Sequence, residues 1–332
     1  MFVVFVVATA FAAPFDSVLS HTVAIYRNAS RYDVKTLEII EVSCAFGAVM
    51  RPWPWFVLAA CAHTAPLRPT RQPIALTYLG VAGWQLEGAG KVIVTDPYFS
   101  RPHDVDEPLV PDDAAIAAHA PAHADLIVVG HSHFDHLLDA PAVAKRSGAE
   151  LMGSLSTIRI ARASGVDPDK LTGISGGEDL ARDGFSVRVI PSLHSMLGAD
   201  DALGEILPSP TLPMPQAGYR AGGTFAYLFR LAGHEVLVFD TANFIEREVT
   251  GLRPDIAIIA PGLRAKIRDY TCRLLHAIGD PPVVLATHFD DWHAPPADAP
   301  AGDDLNAFVA EVERCAPGTR VIVPKHFDRM TF

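Results

Sequence analysis

Short apolar runs recur along the chain, and several stop at a residue type that binds metal ions. Leu126-Ile127-Val128-Val129 passes through Gly130 into His131, and Val187-Arg188-Val189-Ile190 is followed, after Pro191-Ser192-Leu193, by His194. Glu235 to Phe239 closes on Asp240, and Val283 to Thr287 closes on His288. Runs this short, bounded by turn residues, predict strands. Asp304 to Cys315 has the length of a helix, and Arg320 to Val323 reads as a last strand. The intervals between the ligand-type residues each leave room for the strands and helix of one supersecondary unit, which predicts an α/β domain.

The densest chemistry follows the first of these strands, where His131-Ser132-His133-Phe134-Asp135-His136 packs three imidazoles and a carboxylate into six residues. A strand ending at Gly130 delivers them into a loop at a sheet edge. There His131 and His133 can reach one metal while Asp135 and His136 turn toward a second. A structural core has no use for so much basic nitrogen and charge in one loop. His194 or His288 alone would read equally well as a loop histidine. Their weight comes from the joint pattern of strand ends, each closing on a metal-binding residue type.

The pattern His-x-His-x-Asp-His resembles the signature of the metallo-β-lactamase superfamily. The resemblance spans about Ile74 to Phe332 and implies a four-layer αββα sandwich, with two mixed sheets face to face, helices on the outer faces and two metals at one edge. It implies that His131, His133 and His194 hold the first metal and that Asp135, His136 and His288 hold the second. Asp240-Thr241 is similar to the family's Gly-Asp-Thr segment, with Phe239 in place of glycine, so the Asp240 carboxylate is expected to bridge both ions. Lys325-His326-Phe327-Asp328 repeats the form of Thr287-His288-Phe289-Asp290. His288 is preferred as the last ligand because a helix and a strand follow it, which leaves His326 as a pocket-rim or structural residue. Leu76 to Gly80 with Gly90 to Pro97 resembles the opening hairpin of the branch containing ascorbate-6-phosphate lactonases and N-acylphosphatidylethanolamine phospholipases D. In that branch the Asp-Pro segment lies beneath the metals, so Asp96 either orients a ligand histidine or caps a turn. Gly80-Val81-Ala82-Gly83-Trp84 stands where the branch often has Gly-His-Ser.

The chemistry this frame implies is hydrolysis of an ester, lactone or phosphodiester by a hydroxide shared between two divalent cations, with Asp135 aiming it. Zinc is the expected metal, and manganese or iron suits the same donors. Ser132 and Ser195 carry no mark of an activated nucleophile. The alternatives are an iron-dependent redox enzyme on the same ligands and an envelope binding protein with a structural metal.

Composition narrows the partners. With 27 Lys+Arg against 38 Asp+Glu and a net charge of −11, the chain lacks the basic clusters of a nucleic-acid binder. The substrate is expected to be a small or lipid-like molecule. The stretch from Met196 to Gly223 mixes Pro208, Pro210, Pro213 and Pro215 with leucines, as an apolar wall for an acyl chain would. Arg101 to Asp113 is a second rim candidate, and Tyr219 with Arg220 a candidate anion contact. Cys272 and Cys315 read as two buried thiols, with a disulfide as the alternative in an oxidising compartment.

Residues 1–73 read as an extension and linker before a catalytic domain at 74–332. Phe2 to Ala13 is an apolar run of signal-segment length. Met50-Arg51 precedes a second such run ending in Leu58-Ala59-Ala60-Cys61, which resembles a bacterial lipobox. That places the start of translation at Met50, leaves 1–49 with no fold role, makes Ala62 to Pro73 a proline-stiffened tether and predicts a periplasmic lipoprotein held by an acylated Cys61. The competing reading is a buried N-terminal segment in a cytoplasmic protein.

Overall fold

A computed structural model describes residues 21–24, 39–42, 71–197, 203–296 and 304–332. The chain divides into two compact units, Met1–Arg68 and Pro69–Phe332. In the first, β1 (His21–Ala24) pairs antiparallel with β2 (Ile39–Val42), so the stretch expected to have no fold role carries a strand pair. Met1, Met50 and Cys61 lie outside the described residues. The second unit begins before the expected boundary at residue 74. Gln72 N–H already donates to the Ala232 carbonyl at 2.9 Å and Arg71 pairs with Asp255, so the end of the expected tether is bound to the sheet.

The second unit is the expected sandwich. One sheet contains β3 (Ala75–Gly80), β4 (Gly83–Gly88), β5 (Lys91–Thr95), β6 (Leu126–Val128), β7 (Glu150–Gly153) and β8 (Leu171–Gly173). The other contains β9 (Asp179–Arg182), β10 (Phe185–Pro191), β11 (Phe225–Leu231), β12 (His234–Phe239), β13 (Ile256–Ile259), β14 (Val283–Ala286) and β15 (Arg320–Ile322). The final strand, β16 (Arg329–Thr331), returns to the first sheet beside β3, giving the orders β16-β3-β4-β5-β6-β7-β8 and β15-β14-β13-β12-β11-β10-β9. Both sheets are mixed in the same way: antiparallel through β16-β3-β4-β5 and β9-β10-β11-β12, and parallel beyond β5 and β12.

Helices α1 (Asp113–His119), α2 (Phe134–Leu137), α3 (Ala140–Ser147) and α4 (Leu155–Ala163) belong to the first half of the chain. Their residues Ile116, Leu137, Val143 and Ile160 pack with Val94, Ile127 and Leu151 of the first sheet. In the second half, α5 (Glu246–Val249), α6 (Tyr270–Ala277) and α7 (Asp304–Cys315) place Val249, Leu274 and Phe308 against Leu237, Ala257 and Val284. Between the sheets lie Tyr78, Trp84, Leu126 and Val128 against Val189, Phe229, Val236 and Ile258. Strands such as β6 and β13 therefore read as unbroken apolar runs because both faces are covered. Cys272 on α6 and Cys315 on α7 form a disulfide with Cα atoms 5.2 Å apart, which corrects the expectation of two thiols. Side-by-side packing of the two helices brings together cysteines 43 residues apart.

Candidate metal centre

The site is built where β6, β10, β12 and β14 end at one edge of the sandwich. After β6 the chain turns at Gly130, an unavoidable glycine because a Cβ there would lie 2.1 Å from Asp240 Oδ2. His131 and His133 occupy the turn, His133 is the N-cap of α2, and Asp135 and His136 fall in the first turn of that helix. This switch from extended to helical backbone separates the two pairs. His131 Nε2 lies 3.0 Å from His133 Nδ1 and 3.1 Å from His194 Nε2. His136 Nε2 lies 3.3 Å from His288 Nε2 and 3.5 Å from Asp135 Oδ2, and Asp135 Oδ2 is also 3.3 Å from His288 Nε2. His288 has φ 50°, a left-handed backbone uncommon outside glycine, stabilised by a 2.6 Å bond from its N–H to the Val81 carbonyl.

The partners on the far side of each ring decide what these nitrogens are. His131 Nδ1 is 2.6 Å from Asp240 Oδ2, and His194 Nδ1 is 2.8 Å from the Ser195 carbonyl. An acceptor at Nδ1 fixes the proton there and turns the Nε2 lone pair outward. Burial, reinforced by the neighbouring imidazoles, pushes His131 down, and burial with His133 pushes His194 to about 4, so both rings are neutral near pH 7. Two lone pairs thus face each other at 3.1 Å with no proton to share. A cation is the species that satisfies such a pair.

The carboxylates tell the same story. Asp96 Oδ1 accepts from Gly130 N–H at 2.8 Å and faces His136 Nδ1 at 3.2 Å, so it orients a site histidine rather than only capping a turn. Its Oδ2 is buried without a hydrogen-bond partner. Burial pushes Asp96 up, as does the charge of Asp240, and burial pushes Asp240 up as well. Burial also opposes ionisation of Asp135, yet His136, His288 and His133 around it hold it well below the usual carboxylate range. The ion-pair partners of Asp96, Asp135 and Asp240 are all histidines, so the buried cluster is short of fixed positive charge. Divalent cations would supply that charge, and oxygen with imidazole nitrogen is a donor set that binds them.

Asp240 stands between the two sets of donors. Its Oδ2 lies behind the rings, at Nδ1 of His131 and 3.6 Å from Nδ1 of His136, rather than among the outward-facing nitrogens. A buried carboxylate takes the nearest N–H, and the His131 ring offers one. Three groups meet the geometry of a cation site: His131, His133 and His194; Asp135, His136 and His288; and His131, His136 and Asp240.

Residues 75–259, more than half of the chain, match the family described as "Beta-lactamase superfamily domain". The chain belongs to this superfamily. A UPF0173 metal-dependent hydrolase of Methanopyrus kandleri is 26% identical over 75% of this chain and 95% of its own length. Another from Aeropyrum pernix is 35% identical over 37% of this chain and 52% of its own length, so that match spans about half of the relative. The solved structure of Igni18, a metallo hydrolase from Ignicoccus hospitalis, shares the fold at TM-score 0.54 and 20% identity, covering 79% of this chain and 99% of that one. The metallo-β-lactamase fold protein YhfI from Bacillus subtilis does so at TM-score 0.52 and 12% identity, covering 79% and 100%.

On the superfamily's metal edge this member has a cavity of about 780 Å³, lined by His131, His133, Asp135, His194 and His288. Its wall is largely apolar, with Phe134, Leu197, Leu263, Phe289, Trp292 and Leu305. The proline-rich stretch contributes Leu197, Gln216, Ala217 and Tyr219, while Leu203 and Leu207 point to solvent. Arg220 bonds the Leu203 carbonyl and is absent from the wall. Of the Arg101 to Asp113 rim, Asp106 lines the cavity. Ser132 is buried against Ser154 and Thr157, each at 2.9 Å.

One structural element escaped sequence reasoning. Asp290, two residues beyond His288, accepts from Tyr78 OH at 2.6 Å, Val81 N–H at 2.9 Å, Arg101 at 3.0 Å and His326 Nε2 at 2.8 Å. His326 stacks on Tyr78 and is a structural residue outside the cavity wall. Gly80 at φ 98° makes room, since a Cβ there would lie 2.3 Å from the Arg101 guanidinium. Burial opposes the Asp290 charge, but His326, Arg101 and Tyr78 hold its carboxyl well below the usual range. A depressed carboxyl stabilises the fold above the unfolded value, about 4, and loses that stabilisation as pH falls through and below it. Asp290→Asn, which leaves Arg101 buried and unpaired, is expected to cost about 3–5 kcal/mol at pH 7. Urea melts should show the difference shrinking progressively as pH falls below about 4; a constant difference would contradict the assignment.

Proposed function

We propose that this superfamily member is a hydrolase that works with two divalent cations, zinc in the first instance, on an ester, lactone or phosphodiester. His131, His133 and His194 would hold one cation and Asp135, His136 and His288 the other, with Asp240 against the rings of His131 and His136. Bound there, such ions supply ionised water near neutral pH and polarise the oxygen of the bond under attack. The observation that carries the reading is the 3.1 Å approach of His131 Nε2 to His194 Nε2, each ring having an acceptor at its Nδ1.

The chain's own residues set the rest. Asp135, ionised and lining the cavity, accepts a hydrogen bond from the attacking water and orients it. Asp96 and Asp240 keep the protons of His136 and His131 on the side away from the cavity. The apolar wall excludes bulk water and strengthens these charges. No side-chain nucleophile is needed, since Ser132 is buried in a hydroxyl cluster. The hairpin and Asp96-Pro97 resemblance to ascorbate-6-phosphate lactonases and N-acylphosphatidylethanolamine phospholipases D supports a lactone or phosphodiester within the class.

Elemental analysis of protein purified from its own host tests the metal: zinc is expected, and a coloured, iron-loaded protein would favour the redox alternative. Full occupancy with no turnover on ester, lactone and phosphodiester substrates would favour a binding protein with a structural metal. The lipobox-like Leu58-Ala59-Ala60-Cys61 and the Cys272–Cys315 disulfide support an envelope lipoprotein. Intact mass should then show an acylated Cys61 at the amino terminus, and an unprocessed Met1 would rule the envelope out.

A further inference from the structure

We infer that the substrate is an uncharged carboxylic ester or lactone with an aliphatic acyl group, rather than a phosphodiester. The inference rests on the hydrolase reading above and selects within it. Among the described residues, no lysine or arginine lines the cavity. The buried arginines are already committed, Arg101 to Asp290 at 3.0 Å and Arg264 to Asp304 at 2.8 Å and Glu311 at 3.0 Å, and Lys266 donates to the Met196 carbonyl at 3.1 Å. Asp106 adds a carboxylate to the rim.

A phosphodiester carries its negative charge through the whole encounter. At the cations that charge would be matched, but at the rim it meets the carboxylates of Asp106 and Asp304, and along the wall it meets Phe134, Leu263, Phe289 and Trp292, which cannot replace its hydration. A neutral ester enters at no such cost and gains from burial of its chain. The volume of about 780 Å³ exceeds what a bare acetyl or phosphoryl centre needs and lies within the range of sites that enclose drug-sized ligands. Leu197 lines the cavity and is exposed, and Leu193 and Met196 of the same segment are exposed as well.

The reaction balances without a further reactant. The oxygen of water bonds to the acyl carbon and the bond from acyl carbon to alkoxy oxygen breaks. Its electron pair goes to the alkoxy oxygen, which takes up a proton, and the products are an alcohol and a carboxylate with one proton released to solvent.

The test uses the full chain loaded with zinc, with metal content checked by elemental analysis, on para-nitrophenyl acetate, butyrate and octanoate and on bis(para-nitrophenyl) phosphate. The expected kcat/KM rises by about threefold per methylene until the cavity is filled, and octanoate exceeds the diester by at least about a hundredfold. A second readout needs no turnover: chelator-stripped protein should bind 2-undecanone in a calorimetric titration and fail to bind dibutyl phosphate. Trp292→Ala should flatten the chain-length dependence and weaken ketone binding. A diester turned over as fast as the octanoate would overturn the inference and leave the hydrolase reading standing. Silence on every substrate with both metals bound would overturn the hydrolase reading itself.

Discussion

His133→Ala is expected to lower kcat/KM by at least about a thousandfold, the equivalent of about 4 kcal/mol of transition-state stabilisation lost with one donor of a cation site. His133 is only partly buried, at the N-cap of a four-residue helix, and makes no side-chain capping bond there. Compared in the chelator-stripped proteins, where no cation linkage contributes, its loss is expected to change stability by only about 1 kcal/mol. That separation of activity from stability distinguishes a functional imidazole from a structural one. His136→Ala makes the contrast: its ring is fully buried and faces Asp96, so activity and stability should fall together. Steady-state kinetics beside urea melts of the two variants would check this, and a His133→Ala enzyme with near-wild-type turnover would remove the first cation site from the account.

Stripping the protein with a chelator is expected to abolish hydrolysis and to lower Tm by roughly 10 °C, both restored by zinc. The stability part follows from linkage, since a ligand at a thousand times its Kd stabilises the folded state by about 4 kcal/mol, and each kcal/mol is worth about 2–4 °C in a domain of this size. It also follows from the site's electrostatics. Burial pushes Asp96 and Asp240 up and His131 and His136 down, so without cations the core holds a cluster of groups driven away from their charged forms. Scanning calorimetry of stripped and reloaded protein measures the shift. Hydrolysis that persists in the stripped protein would contradict the mechanism.

Much of this was legible in the sequence because strand ends are. The apolar runs before His131, Asp240 and His288 are β6, β12 and β14, and the loop that starts at Gly130 lies where the run stops. Asp96 was a candidate only through the resemblance of its Asp-Pro hairpin, with a turn aspartate as the equal alternative, and it is the fold that shows it facing His136. Asp290 was not legible: its partners Tyr78, Val81, Arg101 and His326 come from four separate segments, and nothing local marks an aspartate that will be buried. The disulfide was missed for the same reason, since Cys272 and Cys315 meet only because α6 and α7 pack together. The position of Asp240 depends on which ring nitrogen offers the closer hydrogen, a matter of ångströms that spacing along a chain does not encode.

The central claim is that scattered strand ends assemble two adjoining cation sites. Anomalous X-ray scattering from zinc-soaked crystals, recorded above and below the zinc edge, measures this most directly. The account predicts two peaks per chain, one among His131, His133 and His194 and one among Asp135, His136 and His288. A single peak, or none within this group of side chains, would contradict it.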